Sequence, residues 1–507
     1  MRSDINPDIN PGWGRSRAWS GILSLPLLLP GLTAAAQTPA TIEEVVVTAQ
    51  KREQNIQDVG IAITAFSGTQ IQKLGYVEST ELALQTPGVG VSASAGDQSR
   101  QFSIRGVTQN DFADHTESPN AVYIDEGYVA APQGQVFSLF DLERVEVLKG
   151  PQGTLFGRNA TGGLVHFITK KPTFELDAQA SLTYGSYNQV KAEAAIGGPL
   201  TDNLAARASF MYNRHDEIIE NLFPAGNSIN PLTGEEFQPS PSGQDDFWND
   251  DQVAGRLQLL YEPNEDMSIL VSGFAARQLV SVGAQQSRAV TPILNDSGGH
   301  VDTIFAVDDP LGCEALSAET GGCLPISFLD GEIPGVNEDS VRPAPGTDLF
   351  GYRDPDGGDF TASVDHALDN FNRYNVRGVT ASLDWNFGVF TLDSISHYMH
   401  FEKRQSLDVD ASPAPQSLVL QTAEHDTFSQ EVRLSGDFER FSWVGGLYYL
   451  HVNVDYAQGL AFSADSPISL LFFDGMPTES PIFVDMQTDS YSAFTHIDFE
   501  LTNELSF

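Results

Sequence analysis

Positive charge is scarce in this chain: 27 Lys and Arg stand against 68 Asp and Glu, a formal net charge of −41. Nucleic acids and anionic lipids recruit clustered Lys and Arg, so the balance argues against either as the partner. Cysteine is nearly absent. Cys313 and Cys323 lie ten positions apart in a loop-like stretch, and in an oxidising compartment such a pair most simply closes a local disulfide. No further Cys or His stands near them at ligand spacing, which disfavours a metal site, and nothing in the chain calls for a cofactor. Past residue 36 there is no run of eighteen or more apolar residues, which excludes membrane helices and leaves a soluble protein or a β-barrel. Also missing are a Ser nucleophile elbow, a zinc-ligand helix and paired catalytic carboxylates at recognisable spacing, so an enzyme is disfavoured.

What is present divides by texture. In residues 1–36, Arg15 and Arg17 precede an apolar stretch from Trp19 to Leu32 that is broken by Pro26 and Pro30, and Ala34-Ala35-Ala36 follows. That is the pattern of a cleaved export signal. Residues 37–172 mix short strand-like pieces (Ile61 to Phe66, Phe102 to Arg105, Ala121 to Asp125, Arg144 to Leu148) with helix-like ones near Gly68 to Leu74 and Ser79 to Gln85, an α/β pattern of ordinary domain size.

From about Ala178 the chain turns to long period-two alternation. Leu204, Ala206, Ala208, Phe210 and Tyr212 share one face against Arg207 and Ser209. Val379, Ala381, Leu383 and Trp385 oppose Thr380, Ser382 and Asp384, and Val444 to Tyr456 repeats the pattern over the longest span. About ten such segments, of membrane-crossing length and often ending in aromatics, suit an antiparallel transmembrane β-barrel. Tight turns at Asn264 to Asp266 and near Phe387-Gly388 alternate with long connections. The longest, residues 280–370, carries sixteen Asp or Glu against three Arg and is expected to face outward. Within it Asp354, Asp356 and Asp359 loosely suggest a calcium loop, with a solvated acidic loop as the default. A secreted β-sandwich, enzyme or adhesin, is the competing class.

Residues 42–49, Ile42-Glu43-Glu44-Val45-Val46-Val47-Thr48-Ala49, form a β-prone segment on a polar tail. It suits either strand addition to a partner's sheet edge or the first strand of the following domain. Farther on come Ser103-Ile104-Arg105-Gly106, Val122-Tyr123-Ile124-Asp125, and the run ERVEVLKGPQGTLFGRNATGG from Glu143 to Gly163. Its glycines lack the Gly-Lys-Ser/Thr ending of a phosphate cradle.

In order and spacing these segments resemble the plug domain of TonB-dependent outer-membrane receptors. The resemblance implies an α/β plug followed by an antiparallel transmembrane β-barrel, here incomplete, with about ten strands of the roughly 22 that close such receptors. It divides the chain into a signal peptide (1–36), a periplasmic tail (37–52), a plug (53–172) and the N-terminal part of a barrel (178–507) that further strands would complete. Residues 42–49 correspond to the TonB box, captured by the TonB energy-coupling protein of the inner membrane. That reading treats them as a strand free of the fold. The plug arginines Arg105 and Arg144 are expected to pair with acidic groups on the barrel wall. Glu431, turned inward with Ser429 and Arg433, is the first candidate, and Asp498 on a later strand the second. The implied function is energy-coupled uptake of a ferric chelate across the outer membrane, in contact with its lipid. Uptake of a carbohydrate, cobalamin or another organic nutrient is the alternative.

Overall fold

The computed structural model describes residues 46–506 apart from 282–289, 295–299, 306–351, 354–360, 366–370 and gaps of one to six residues elsewhere. Ile42, Glu43, Glu44, Val45, Cys313, Cys323, Asp354, Asp356 and Asp359 lie outside the described residues.

The plug is built on a five-stranded sheet in the order Ala62–Ser67, Leu142–Lys149, Gly163–Thr169, Asn120–Ile124, Gly127–Tyr128. The third and fourth strands run parallel and the other neighbours antiparallel. Gly163–Thr169 is buried along its whole length, His166 and Thr169 included, which explains why it shows no alternation of apolar and polar residues. The helix Gly68–Leu74 starts where Ser67 and Gln70 form a reciprocal capping box, and stops at Gly75 in the left-handed conformation. Phe66, Ile71, Leu82, Phe102, Val122, Val145 and Phe167 form its core, joined by Met399 and Phe401 from the wall.

Around this core stands a separate sheet of ten consecutive antiparallel strands, from Asp177–Tyr184 to Thr478–Thr502, with the two-residue Leu505–Ser506 added at its edge. Each strand pairs with the next through tight turns at one end, as at Asn264/Met267 and Asn386/Phe390. Residues 216–249, 409–416 and 463–477 make longer connections at the other end. The alternation holds: Phe210, Leu257, Leu259, Val379, Phe428 and Val432 are exposed on the outer face, while Arg207, Gln258, Thr380, Ser429, Glu431 and Arg433 are buried inside.

In Phe441–Phe462 the polarity of the alternation is reversed. Val444, Leu450, Val452, Val454 and Tyr456 point inward and pack with Tyr123, Leu148 and Phe156 of the plug, so His451, Asn453 and Asp455 point outward. A strand of 22 residues spans about 70 Å, far more than an apolar band of ~25 Å. Beyond that band its outer face meets water or headgroups, and its inner face is the one that gains by being apolar.

Candidate functional site at the plug and wall interface

The tail segment enters the structure at Val46–Val47, which pairs antiparallel with Gln54–Asn55. It does not hang free, as the capture reading supposes. Val46 is exposed, but Val47 and Ala49 are buried among Tyr123, Leu148, Phe156 and Val444. The Thr48 amide and hydroxyl both donate to Glu146 Oε1, at 2.9 and 3.2 Å. Glu146 is fully buried, and these bonds offset part of its desolvation cost at Oε1, while Oε2 has no hydrogen-bond partner among the described residues.

The two arginines expected to reach the wall do not. Arg144 is occupied within the plug: Nε donates to Glu146 Oε1 at 2.8 Å, a second ion pair joins it to Glu143, and Nη2 lies 3.4 Å from Thr48 Oγ1. Arg105 is exposed at a positive φ of 53°, with its guanidinium beside Gly150, and makes no ion pair among the described residues. Neither pairs with Glu431 or Asp498.

Both candidate wall carboxylates do meet the plug side, through different cations. Lys51 Nζ sits 3.2 Å from Glu431 Oε2 and 3.2 Å from Glu126 Oε2, over the Phe156 ring at 4.7 Å. Its backbone, at a φ of 59°, closes a turn in which its amide donates to Thr48 O at 3.0 Å. The neighbouring Arg52 pairs with Asp498 and lies 3.8 Å from Asp437. From the wall, Arg433 reaches the other way. Its guanidinium holds Glu126 through both terminal nitrogens, one at 2.9 Å, with Glu431 at 3.1 Å and Asp393 at 3.0 Å. Lys51 and Arg433 thus interlock with Glu126, Glu431 and Asp393, and Arg52 with Asp498 and Asp437 stands beside them.

Glu126 is presented by the turn Asp125-Glu126-Gly127, whose first two residues have positive φ. Asp125 anchors this turn by accepting from the Thr169 amide and hydroxyl at 2.9 and 2.8 Å. Gly127 faces the wall so closely that a Cβ there would lie 2.2 Å from His397 Nδ1. Burial alone would raise the Glu126 carboxyl, but Arg433 and Lys51 outweigh it and hold it well below the usual carboxylate range. Next to it, burial lowers His166, whose Nε2 accepts from the Glu126 amide at 3.2 Å.

Lys51, Arg52, Glu126 and Asp393 were missed in the sequence. Lys51 and Arg52 carried a usable signal, since two cations directly follow the β-prone segment. Glu126 and Asp393 carried none, because each is one acid among many.

Elsewhere the plug is tied down more conventionally. Arg207 Nε and Nη2 grip Asp141 at 2.8 and 2.5 Å, fully buried. Lys403 meets Asp114 at 2.7 Å, also fully buried, on the side of the long connections. On that side lies a cavity of about 430 Å³ whose walls include Glu78, Glu81, Arg100, His215, Trp248 and Asp250.

Comparison with known proteins agrees with this architecture. Residues 55–164 match the family described as the TonB-dependent receptor plug domain. Over 251 residues the chain is 26% identical to the pesticin receptor of Yersinia pestis, covering 49% of this chain and 34% of that protein. Over 181 residues it is 30% identical to the ferripyoverdine receptor of Pseudomonas aeruginosa, covering 35% and 21%. The crystal structure of that ferripyoverdine receptor bound to ferripyoverdine superposes with a TM-score of 0.56 at 16% identity, over 90% of this chain and 52% of that one. The chain therefore spans about a fifth to two fifths of the curated relatives it matches and about half of the solved structure. Residues 55–164 thus form a TonB-dependent receptor plug domain, seated against an antiparallel wall whose fold is that of the solved outer-membrane receptor.

Proposed function

We propose that this protein takes up a ferric chelate across the outer membrane, and that traction by a TonB-type partner on residues 42–49 releases the plug. One observation carries the coupling part: Lys51 and Arg52, two and three residues beyond Ala49, are themselves the plug-side cations of the interface. Tension on the segment is delivered through a few backbone bonds to the ion pairs that hold the plug, with no relay through its core. Such pairs are strong while water is excluded and weaken once the first residue is drawn out and water enters. In this reading Arg105 and Arg144 shape the plug, while Lys51, Arg52 and Arg433, with Glu126, Glu431 and Asp498, form the latch.

The chelate part draws on the receptors this chain is similar to and on the polar cavity beside Arg100, Glu78 and Trp248, which suits a ligand with both charged and aromatic groups.

The test is Val46→Pro in the full-length receptor. Proline removes a backbone donor and fixes φ at an exposed position, blocking edge addition while Val47 and Ala49 keep their packing. Whole cells should bind a labelled ferric chelate as wild type does but fail to accumulate it when energised. Equal loss of binding and accumulation would mean that residues 46–49 act only as part of the folded plug. Unimpaired accumulation would place the coupling site elsewhere.

A further inference from the structure

The outer face of the wall carries a second constellation, on the strands Phe371–Asn386 and Phe390–Asp408. Along the first, Asn372, Tyr374 and Val376 face the plug, so Arg373, Asn375 and Arg377 face outward. Their cross-strand partners are Arg404, Glu402 and His400 in that order. Two rungs of this ladder therefore set a basic residue directly opposite another, about 5 Å apart, a pairing that destabilises a sheet when nothing lies between. Glu402 occupies the middle rung, accepting from Arg404 Nε at 2.9 Å and Asn375 Nδ2 at 3.3 Å, and faces Glu424 on its other side. It neutralises one of three guanidinium groups. Arg373 stacks on Phe371 at 5.4 Å with its Nε unpartnered, and Arg377 lies within electrostatic reach of Asp426 but makes no direct ion pair among the described residues.

The height of this patch on the wall can be read from its neighbours. Tyr398 stands opposite Phe428, which lies 6.2 Å from Tyr449, which in turn stacks on Tyr491 at 4.9 Å, forming an outward aromatic row across four strands. Just beyond it, toward the long connections, two like clusters appear. Tyr398 Oη and His400 Nδ1 share Asp426 at 2.6 and 3.0 Å, and Tyr449 Oη and His451 Nδ1 share Asp489 at 2.9 and 2.9 Å. Aromatic rows mark the membrane boundary, and outward carboxylates and imidazoles belong above it. Arg377 and His400 thus sit at headgroup level, with Arg373 and Arg404 one to two turns of the pleat higher.

We propose that Arg373, Arg377 and Arg404 form a binding site for the phosphorylated headgroup of an outer-leaflet lipid. The chain's charge of −41 argues against anionic lipid as a general partner, and this patch is a local exception placed where lipid phosphates are. Guanidinium groups grip phosphate through paired N–H donors, and a phosphate between opposed arginines removes the repulsion built into the sheet. The occupant is a lipid because the patch faces away from the plug and its lower edge continues into the aromatic row.

The experiment uses the full chain in detergent micelles doped with diphosphoryl lipid A or with its dephosphorylated counterpart, and counts retained lipid by native mass spectrometry. Wild type should retain the phosphorylated lipid in a salt-sensitive way. The combined variant Arg373→Gln, Arg377→Gln, Arg404→Gln should lose about a hundredfold in retention, at roughly fivefold per basic residue. The Lys triple variant should keep most of it. Arg214→Gln, which removes an exposed outward arginine with no basic cross-strand partner, should change nothing. Equal retention of the dephosphorylated lipid, or wild-type retention by the Gln triple variant, would overturn the proposal. Should that variant fail to fold, the salt titration of wild type with the two lipids decides alone, and salt-insensitive retention rejects the site.

Discussion

Lys51 and Glu431 lie 380 positions apart and meet at 3.2 Å between Nζ and Oε2, so the residue two positions past the tail segment is fastened to the inner face of the wall. Replacing Lys51 by Met leaves Glu126 and Glu431 facing each other with Arg433 as their only shared cation. Breaking a buried pair from one side costs about 3–5 kcal/mol, mostly as the uncompensated charge left behind. Lys51→Met should make the plug protease-sensitive and raise the leak conductance of the full-length receptor in planar bilayers. Adding Glu431→Gln should recover part of the loss, with a coupling of about 0.5–3 kcal/mol in the double-mutant cycle. Strict additivity of the two changes would show that the contact carries no energy.

Gly127→Ala tests how closely the plug turn approaches the wall. The new Cβ would overlap the imidazole of His397, itself buried, and overpacking of this kind costs about 1–3 kcal/mol. The denaturation midpoint of the plug should fall, and His397→Ala in the same chain should restore it. Failure of the second change to rescue the first would mean that the strain arises within the turn.

Acidification should loosen the plug in two stages. His166 is lowered from 6.5, so below that value the unfolded chain binds the extra proton first and stability falls as pH drops. Glu126 is held well below 4.5, so its contribution is complete above that value and is lost only as pH falls through its depressed folded value. Limited proteolysis against pH should show a shallow decline below 6.5 and a steeper one below 4.5. His166→Gln should flatten the first stage alone and Glu126→Gln the second alone. A single transition that neither change affects would remove both assignments.

Much of the fold was legible in the sequence because it rests on local periodicity. Period-two alternation predicted the wall strands and their inward face at Ser429, Glu431 and Arg433, and the helix-like pattern near Gly68 to Leu74 is a helix in the structure. The Phe441–Phe462 strand shows the limit of the rule: alternation separates two faces but does not say which is wet, and here the apolar one meets the plug. Gly163–Thr169 escaped notice for a related reason, since burial on both sides erases the alternation itself.

The candidate site divides the same way. The sequence by itself determined that an acidic, exported chain carries a plug, a β-prone tail segment and inward carboxylates at Glu431 and Asp498, because each of these is written in a short stretch of residues. Which cations answer those carboxylates was decided only by the tertiary structure. Arg105 and Arg144 had the right charge in the right domain, yet Glu146 and the plug's own turns hold them back, while Lys51 and Arg52 are brought to the wall by a single turn after Thr48. An ion pair across a domain interface depends on distance and on who else is near, and neither quantity is local in sequence.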